Sequence, residues 1–237
     1  MFRTILMLLF WAVALVYAAL VGLPWTYLTK DVGFLYRICM FSVWTGVRIA
    51  GVKVRTIGLE KIDPARTYIF MSNHISNLDP PITMPLIPRR TSVMVKKELF
   101  KTPIFGRIMR LGLLVPVDRK NRDAGISAVR DSLKAIEQGL NMTTYVEGKR
   151  SFDGRLLPFK KGPFYLAEEC KVPVVPITIS GTEAVMPKAR FAIRPGLVTV
   201  EFHAPIEPAD FGDRKNLMAK VRAAINSGLP AELREGS

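Results

Sequence analysis

A chain of 237 residues has room for one catalytic domain of ordinary size plus an appendage. With 34 Lys and Arg against 20 Asp and Glu it carries a net charge of +14, and 49% of its residues are hydrophobic, a pairing that suits an anionic membrane surface or an anionic substrate. Its two cysteines, Cys39 and Cys170, exclude a disulfide framework and fit a reducing compartment, and no nucleic-acid-binding motif accompanies the positive charge.

From Thr4 to Thr29 no residue is charged. About 20 apolar residues cross a bilayer's hydrocarbon core, so this run is long enough to span it, and Trp25 and Tyr27 stand near its end, where interfacial aromatics are expected. The rival is a cleaved signal peptide, since Arg3 precedes the apolar core and Val16-Tyr17-Ala18 passes as a cleavage site. Lys30 and Asp31 make a polar turn, and Phe34 to Gly51, broken only by Arg37 and Arg48, reads as an amphipathic helix lying at the interface. The two segments form a membrane-docking hairpin over residues 1–51, ahead of a globular body over 52–237. Hydropathy does not decide whether the first segment spans the bilayer or dips into one leaflet. Lys30, Arg37, Arg48, Lys53 and Arg55 follow the apolar run and only Arg3 precedes it, which by the positive-inside tendency puts the body on the cytoplasmic face, as at a bacterial inner membrane.

From Val52 onward short β-rich runs alternate with helical periodicity, the pattern of an α/β body. Val52 to Ile57 and Thr67 to Met71 read as strands, the second delivering the chain to Ser72-Asn73-His74. Asp79 is followed by Pro80 and Pro81, which suits an N-cap and the first position of a helix, with His74 in the loop before it. On a continuous helix a spacing of five would turn the two side chains apart. A loop lets the carboxylate reach one ring nitrogen, fixing the tautomer and leaving the other nitrogen to accept a proton, as a general base for a hydroxyl must. A surface histidine beside an Asx-type turn gives the same letters.

Between Pro88 and Arg122 ten Lys or Arg stand against Glu98 and Asp118, a net +8. The run reads as a solvated or membrane-facing surface, a subset of which would hold a phosphate if the substrate carries one. Gly112 to Asp118 reads as a strand with Arg119 emerging at its C-terminal end, and Asp123 to Gly139 as a helix with Ile126, Val129, Leu133 and Ile136 on one face. Met142 to Val146 is a strand leading into Glu147-Gly148-Lys149-Arg150-Ser151. There glycine allows close backbone approach while two cations grip an oxyanion, although a charged hairpin turn reads the same way. Lys160, Lys161 and Gly162-Pro163 open a short helix that runs to about Cys170. In Val172-Pro173-Val174-Val175-Pro176 the prolines predict an edge strand or the wall of an apolar groove. Leu197 to Phe202 is a further strand, His203 at its end is structural, and Leu217, Val221 and Ile225 mark a final amphipathic helix. The sequence holds no metal-ligand cluster, Gly-rich nucleotide loop or Gly-x-Ser-x-Gly elbow.

Four blocks in order, Asn73-His74 with Asp79, Gly112 with Arg119, Tyr145-Val146-Glu147-Gly148-Lys149-Arg150-Ser151, and Val172 to Pro176, resemble the signature blocks of the glycerolipid acyltransferase family, as does Asp153 to Gly162. This chain departs from the pattern in one extra residue between Gly112 and Arg119, in Val146 where proline is usual, and in Lys149 where threonine is usual. The resemblance implies a glycerol-3-phosphate acyltransferase-like fold, a mixed central β-sheet flanked by helices. It implies acyl transfer from a thioester, on acyl-carrier protein or coenzyme A, to the sn-2 hydroxyl of lysophosphatidic acid, giving phosphatidic acid at a bilayer with an anionic leaflet. His74 would be the base and Asp79 its orienting partner, with no acyl-enzyme, and backbone N–H groups near the start of the Asp79 helix would stabilise the oxyanion. Arg119, Lys149, Arg150 and Lys96 would hold the phosphate, with Gly148 between them. Glu147 would orient those cations or bind the glycerol, and Val172, Pro173, Val174, Val175 and Pro176 would line the acyl groove. No metal, bound cofactor or nucleic acid is implied. The alternatives are another lysophospholipid or a lyso-aminolipid as acceptor, and a non-catalytic membrane-anchored binder of anionic lipid or nucleic acid.

Overall fold

The computed structural model describes residues 1–118, 122–187 and 191–235, with side chains of 122–126 left aside. Arg119 and Ile126 therefore lie outside the side chains described. Helix α1 (Phe2–Tyr17) continues through a π turn at Ala18–Gly22 into α2 (Leu23–Thr29). Pro24 accounts for the wider turn: in a regular helix its ring would meet the carbonyl of Leu20, four residues back. Lys30, at φ 60°, ends α2. The Asp31 carboxylate accepts the Gly33 N–H at 2.7 Å and caps α3 (Val32–Ile49). The expected hairpin is thus formed.

Trp11 fixes how the two arms cross. Its Nε1 donates to the Ser42 carbonyl at 3.0 Å, and its indole lies so close over Gly46 that a Cβ there would collide with it. The hairpin also lies against the body along its length. Thr4 Oγ1 accepts the Ile193 N–H at 3.0 Å, Met7, Val47 and Ala50 enter the core, and Ala18, Leu23 and Leu35 pack with Ile104, Ile108 and Leu111 of α5 (Pro103–Leu111). Its outward face leaves Ile5, Leu9, Val13, Val16, Leu20 and Leu28 exposed.

Seven strands, β1 (Val52–Ile57), β2 (Ile69–Ser72), β3 (Thr91–Lys96), β4 (Val115–Val117), β5 (Asn141–Tyr145), β6 (Val174–Ser180) and β7 (Gly196–Phe202), form one sheet in the order β1-β7-β6-β2-β5-β3-β4. Neighbours are parallel except β6 and β7, so the sheet is of the mixed kind expected. Because side chains alternate across a strand, β2 sends Phe70 into the core shared with the hairpin and Ile69 and Met71 into a second core. That second core lies under α6 (Arg122–Glu137), α7 (Gly162–Cys170) and α9 (Arg214–Gly228). The α9 stripe is Leu217, Val221 and Ile225 as expected, each fully buried, and each worth about 1.5–3 kcal/mol of burial.

Two readings are corrected. The segment from Gly112 is the end of α5 before it is a strand: Gly112 is the C-cap, Leu113 takes φ 57°, and the Leu114 N–H bonds the Met109 carbonyl at 3.0 Å. Only Val115–Val117 is extended in the sheet. The second correction concerns Val172 to Pro176, which is neither an edge strand nor an open groove wall. Residues 174–176 lie in β6, between β2 and β7, with Val174 and Val175 fully buried. The prolines are tolerated because the sheet takes their carbonyls: Pro173 O accepts from Ile69 N and Pro176 O from His203 N, both at 3.0 Å. Regular pairing with β7 starts only at Ile177, one residue past the missing donor.

Replacing Gly46 by valine forces the indole of Trp11 off α3. The expected overpacking cost is about 1–3 kcal/mol, read as a thermal midpoint lowered by several degrees in detergent; an unchanged midpoint would mean that the helix crossing does not depend on this contact.

Candidate active site

The site follows from the register of two parallel strands. Ser72 at the end of β2 lies opposite Tyr145 at the end of β5, and the Val146 N–H donates to Ser72 O at 3.0 Å. The two following loops therefore leave the C-terminal edge of the sheet side by side, where ligand sites of α/β folds lie. Asn73 extends β2 toward β6, its side-chain amide exchanging two hydrogen bonds with the backbone of Ile179, each 2.8 Å.

Glu147 locks the loops together. Its Oε1 accepts the His74 N–H and its Oε2 the Leu157 N–H, both at 2.8 Å, and it is 1% exposed. The Ser151 N–H in turn donates to His74 O at 2.8 Å. Both backbone polar groups of His74 are thus held by the second loop. Burial pushes the Glu147 carboxyl up to about 7, against the two backbone donors that favour its charge. Spacing in sequence did not reveal this partner, because the hydrogen bond joins residues 73 positions apart. Both Glu147 oxygens are thus taken by backbone donors.

The His74 ring is held on its edge and its face. Nδ1 lies 2.7 Å from Asp79 Oδ2, and the ring stacks on Tyr145 at 4.3 Å between centroids, 27° from parallel. Thr83 Oγ1 donates to Asp79 O at 2.8 Å, so at their 3.1 Å contact the Tyr145 hydroxyl is the donor. Next to an acceptor, Nδ1 carries the proton of the neutral ring. Nε2 then presents its lone pair and makes no hydrogen bond with any described residue.

Asp79 is fully buried, and its Oδ2 also accepts the Ile75 and Ser76 N–H groups at 2.7 and 2.9 Å. It is the first residue of α4 (Asp79–Thr83), with Leu78 at the N-cap position, which corrects the N-cap expectation. Capping donors come from the second or third helical residue, and with Asp79 at the cap the second would be Pro81, which has no N–H. The carboxylate turns back to the loop that precedes it instead. This also removes most of the expected oxyanion donors. The Ile75 and Ser76 N–H groups go to Asp79, Leu78 N to Ser76 Oγ, and Asp79 N to Ser76 O. Pro80 and Pro81 have none, so Asn77 keeps the loop's one uncommitted N–H among the described residues.

The expected cations divide by distance. Lys149 and Arg150 sit on the Glu147 loop, one exposed and one half-buried, past a turn at Gly148 with φ 69°. Lys96 ends β3, two strands from β2, and pairs with Glu98 at 3.7 Å; at about 4.8 Å per strand that is ~10 Å along the edge from the histidine loop. Arg119 lies outside the described residues. Lys97, not singled out from the sequence, forms an ion pair with Asp118 that joins the ends of β3 and β4. Val172, Pro173, Val174, Val175 and Pro176 do not join the site: Val174 pairs with Ile69 at the opposite end of β2, about five residues or ~16 Å from the histidine loop. His203 is remote from it too, its Nε2 2.8 Å from Thr178 Oγ1, which donates to Ile225 O and ties β6 to α9.

A family model described as Acyltransferase matches residues 53–180. The 1-acyl-sn-glycerol-3-phosphate acyltransferase of Limnanthes douglasii is 35% identical over 192 residues, which cover 80% of this chain and 66% of that protein. The protein of the same name from Cocos nucifera is 33% identical over 198 residues, 83% of this chain and 63% of its own. The chain thus spans 66% or less of the length of these curated relatives. The crystal structure of the 1-acyl-sn-glycerophosphate acyltransferase PlsC from Thermotoga maritima matches with a TM-score of 0.78 at 28% identity, covering 94% of this chain and 93% of that one.

Glu147→Gln sets an amide NH2 against one of two backbone N–H groups. The expected loss of about 1–3 kcal/mol of local protection appears as faster hydrogen exchange at His74 or Leu157. Because the folded carboxyl titrates at about 7, above its ordinary 4.5, the folded state binds the extra proton and the wild type loses stability as pH rises from 4.5 to 7. The variant should lose that slope, and a slope that persists would assign it to other groups.

Proposed function

The chain belongs to the acyltransferase family, and from that premise we propose that it moves a fatty acyl group from a thioester to the sn-2 hydroxyl of lysophosphatidic acid, giving phosphatidic acid. The observation that carries this reading is the buried contact of His74 Nδ1 with Asp79 Oδ2 at 2.7 Å, which leaves Nε2 as the base. The names of the relatives supply the acceptor.

In this mechanism the acceptor oxygen attacks the thioester carbonyl carbon while its proton passes to His74 Nε2. The imidazolium is stabilised by the carboxylate of Asp79 at its Nδ1 side. As the tetrahedral intermediate collapses, the C–S bond breaks and the same proton goes to the leaving sulfur. The alcohol is itself the nucleophile, so no acyl-enzyme forms. Lys149 and Arg150, on the loop hydrogen-bonded to His74, grip the phosphate of the acceptor, with Lys96 further along the same edge, and Arg119 is the remaining cation assigned to it. Glu147 acts through the His74 backbone as a positioning residue. The donor thiol belongs to acyl-carrier protein or coenzyme A and enters as co-substrate; no bound cofactor is called for.

The hairpin docks the enzyme in one leaflet. Its contacts with the body run from Thr4 to Leu35 and its outward face is apolar, which favours lying in the interface over crossing the bilayer. The basic residues that follow it favour a body on the cytoplasmic face, as at a bacterial inner membrane.

His74→Ala should lower acyl transfer from a labelled thioester to lysophosphatidic acid by roughly two to four orders of magnitude with thermal unfolding near wild type. Asp79→Asn, which disrupts the tautomer, should lose up to about 10⁴-fold in kcat. A wild type inactive with every lysophospholipid and lyso-aminolipid acceptor, or a His74→Ala variant at full rate, would turn the reading toward a membrane-anchored binder of anionic lipid.

A further inference from the structure

The basic run that begins at Pro88 contains more cations than the proposed site uses, and two of them meet the hairpin. A cavity of about 370 Å³ lies between α3 and the segment that follows α4, with Tyr36, Arg37, Met40, Met84, Arg89 and Arg90 in its lining. None of His74, Asp79, Glu147, Lys149 or Arg150 borders it. Three arginines thus line one small space, and their states differ.

Arg89, at φ 64°, is committed: it donates to Ala65 O at 3.0 Å and to Gly139 O at 2.7 Å. Arg37 and Arg90 make no hydrogen bond or ion pair with any described residue, and Arg90 Nε is buried without a partner. A buried charged donor with no acceptor is costly, and an acid could have been expected in the lining. There is none. The nearest carboxylate on α3, that of Asp31, is engaged as the cap of that helix and forms no ion pair with Arg37.

We propose that this cavity binds the phosphate head group of an anionic phospholipid, as a site separate from the catalytic one. Arg37 and Arg90 would grip the phosphate oxygens in the bidentate manner of guanidinium, and Arg89 adds charge without moving. One wall belongs to α3, whose Phe41, one turn beyond Arg37, is 69% exposed. The acyl chains of the lipid leave along that apolar surface into the leaflet, while Met40 and Met84 cover the glycerol end. A free phosphate offers the same oxygens but gains nothing from these apolar walls. The inference rests on the hairpin docking at a bilayer.

The test uses the full chain and co-sedimentation with two kinds of vesicle, phosphatidylcholine alone and phosphatidylcholine with one fifth phosphatidylglycerol. The double variant Arg37→Gln/Arg90→Gln should fold with a wild-type thermal midpoint, since neither side chain makes a hydrogen bond or ion pair with a described residue, and should bind the neutral vesicles like the wild type. Its preference for the anionic vesicles should fall about tenfold or more. Lys171→Gln/Lys215→Gln, which removes two exposed cations elsewhere, should keep most of that preference. Equal losses in the two double variants, or none in the first, would overturn the site in favour of diffuse surface charge. Inorganic phosphate at millimolar concentration and constant ionic strength should not displace the vesicles; complete displacement would assign the cavity to free phosphate and overturn the lipid. Failure of the wild type to bind either vesicle would instead sink the docking reading, and this inference with it.

Discussion

One buried oxygen governs the geometry of the site. Asp79 Oδ2 receives the His74 ring and the N–H groups of Ile75 and Ser76, and a fully buried carboxylate is tolerable only when donors of this kind replace its water. The consequence runs in both directions along the chain. Residues 74–79 are held in a single loop conformation, with two prolines after it that offer no competing N–H. The same loop also gives up nearly all its donors, so under the proposed chemistry the oxyanion is met by Asn77 N–H or by groups outside this loop.

The second support comes from the sheet. Parallel pairing of β2 with β5 puts the loop after one strand against the loop after the other, and Glu147 converts that proximity into hydrogen bonds to His74 and Leu157. Tyr145, the last residue of β5, stacks under the imidazole. Two of the family's signature blocks are therefore one physical unit. In it the acidic residue of the third block holds His74 through its backbone N–H, and the exposed Lys149 follows on the same loop.

The hairpin is joined to this unit through the core and not only through the chain. Met7 and Val47 share a hydrophobic cluster with Phe70, Ile82 and Tyr145, so the hairpin helices rest on the same side chains that back the histidine loop. The packed inner face of the hairpin has its partner in the body, and the apolar outer face is the one left for the proposed docking in a leaflet. The cationic cavity between α3 and the segment after α4 lies at the seam where the two meet.

What could be read from the residues was local or strongly periodic. The His74–Asp79 partnership spans five positions, α9 shows its stripe of Leu217, Val221 and Ile225, and the apolar run with its polar turn declares a helical hairpin. The helix stop at Gly112 was misassigned because a left-handed Leu113 carries no compositional signal. Val172 to Pro176 was misassigned because a proline's missing donor argues against a central strand unless the neighbours are known. Strand order decides that question, together with the contacts of Glu147 and Tyr145, and strand order arises from pairings between residues as far as 144 positions apart, as Val52 with Gly196. The sequence by itself determined which side chains could carry acid–base and anion chemistry, since that is a property of residue types at short spacing. Which of them meet, and which are buried in the core instead, was decided by the tertiary structure, because parallel pairing sets side by side groups that the chain keeps far apart.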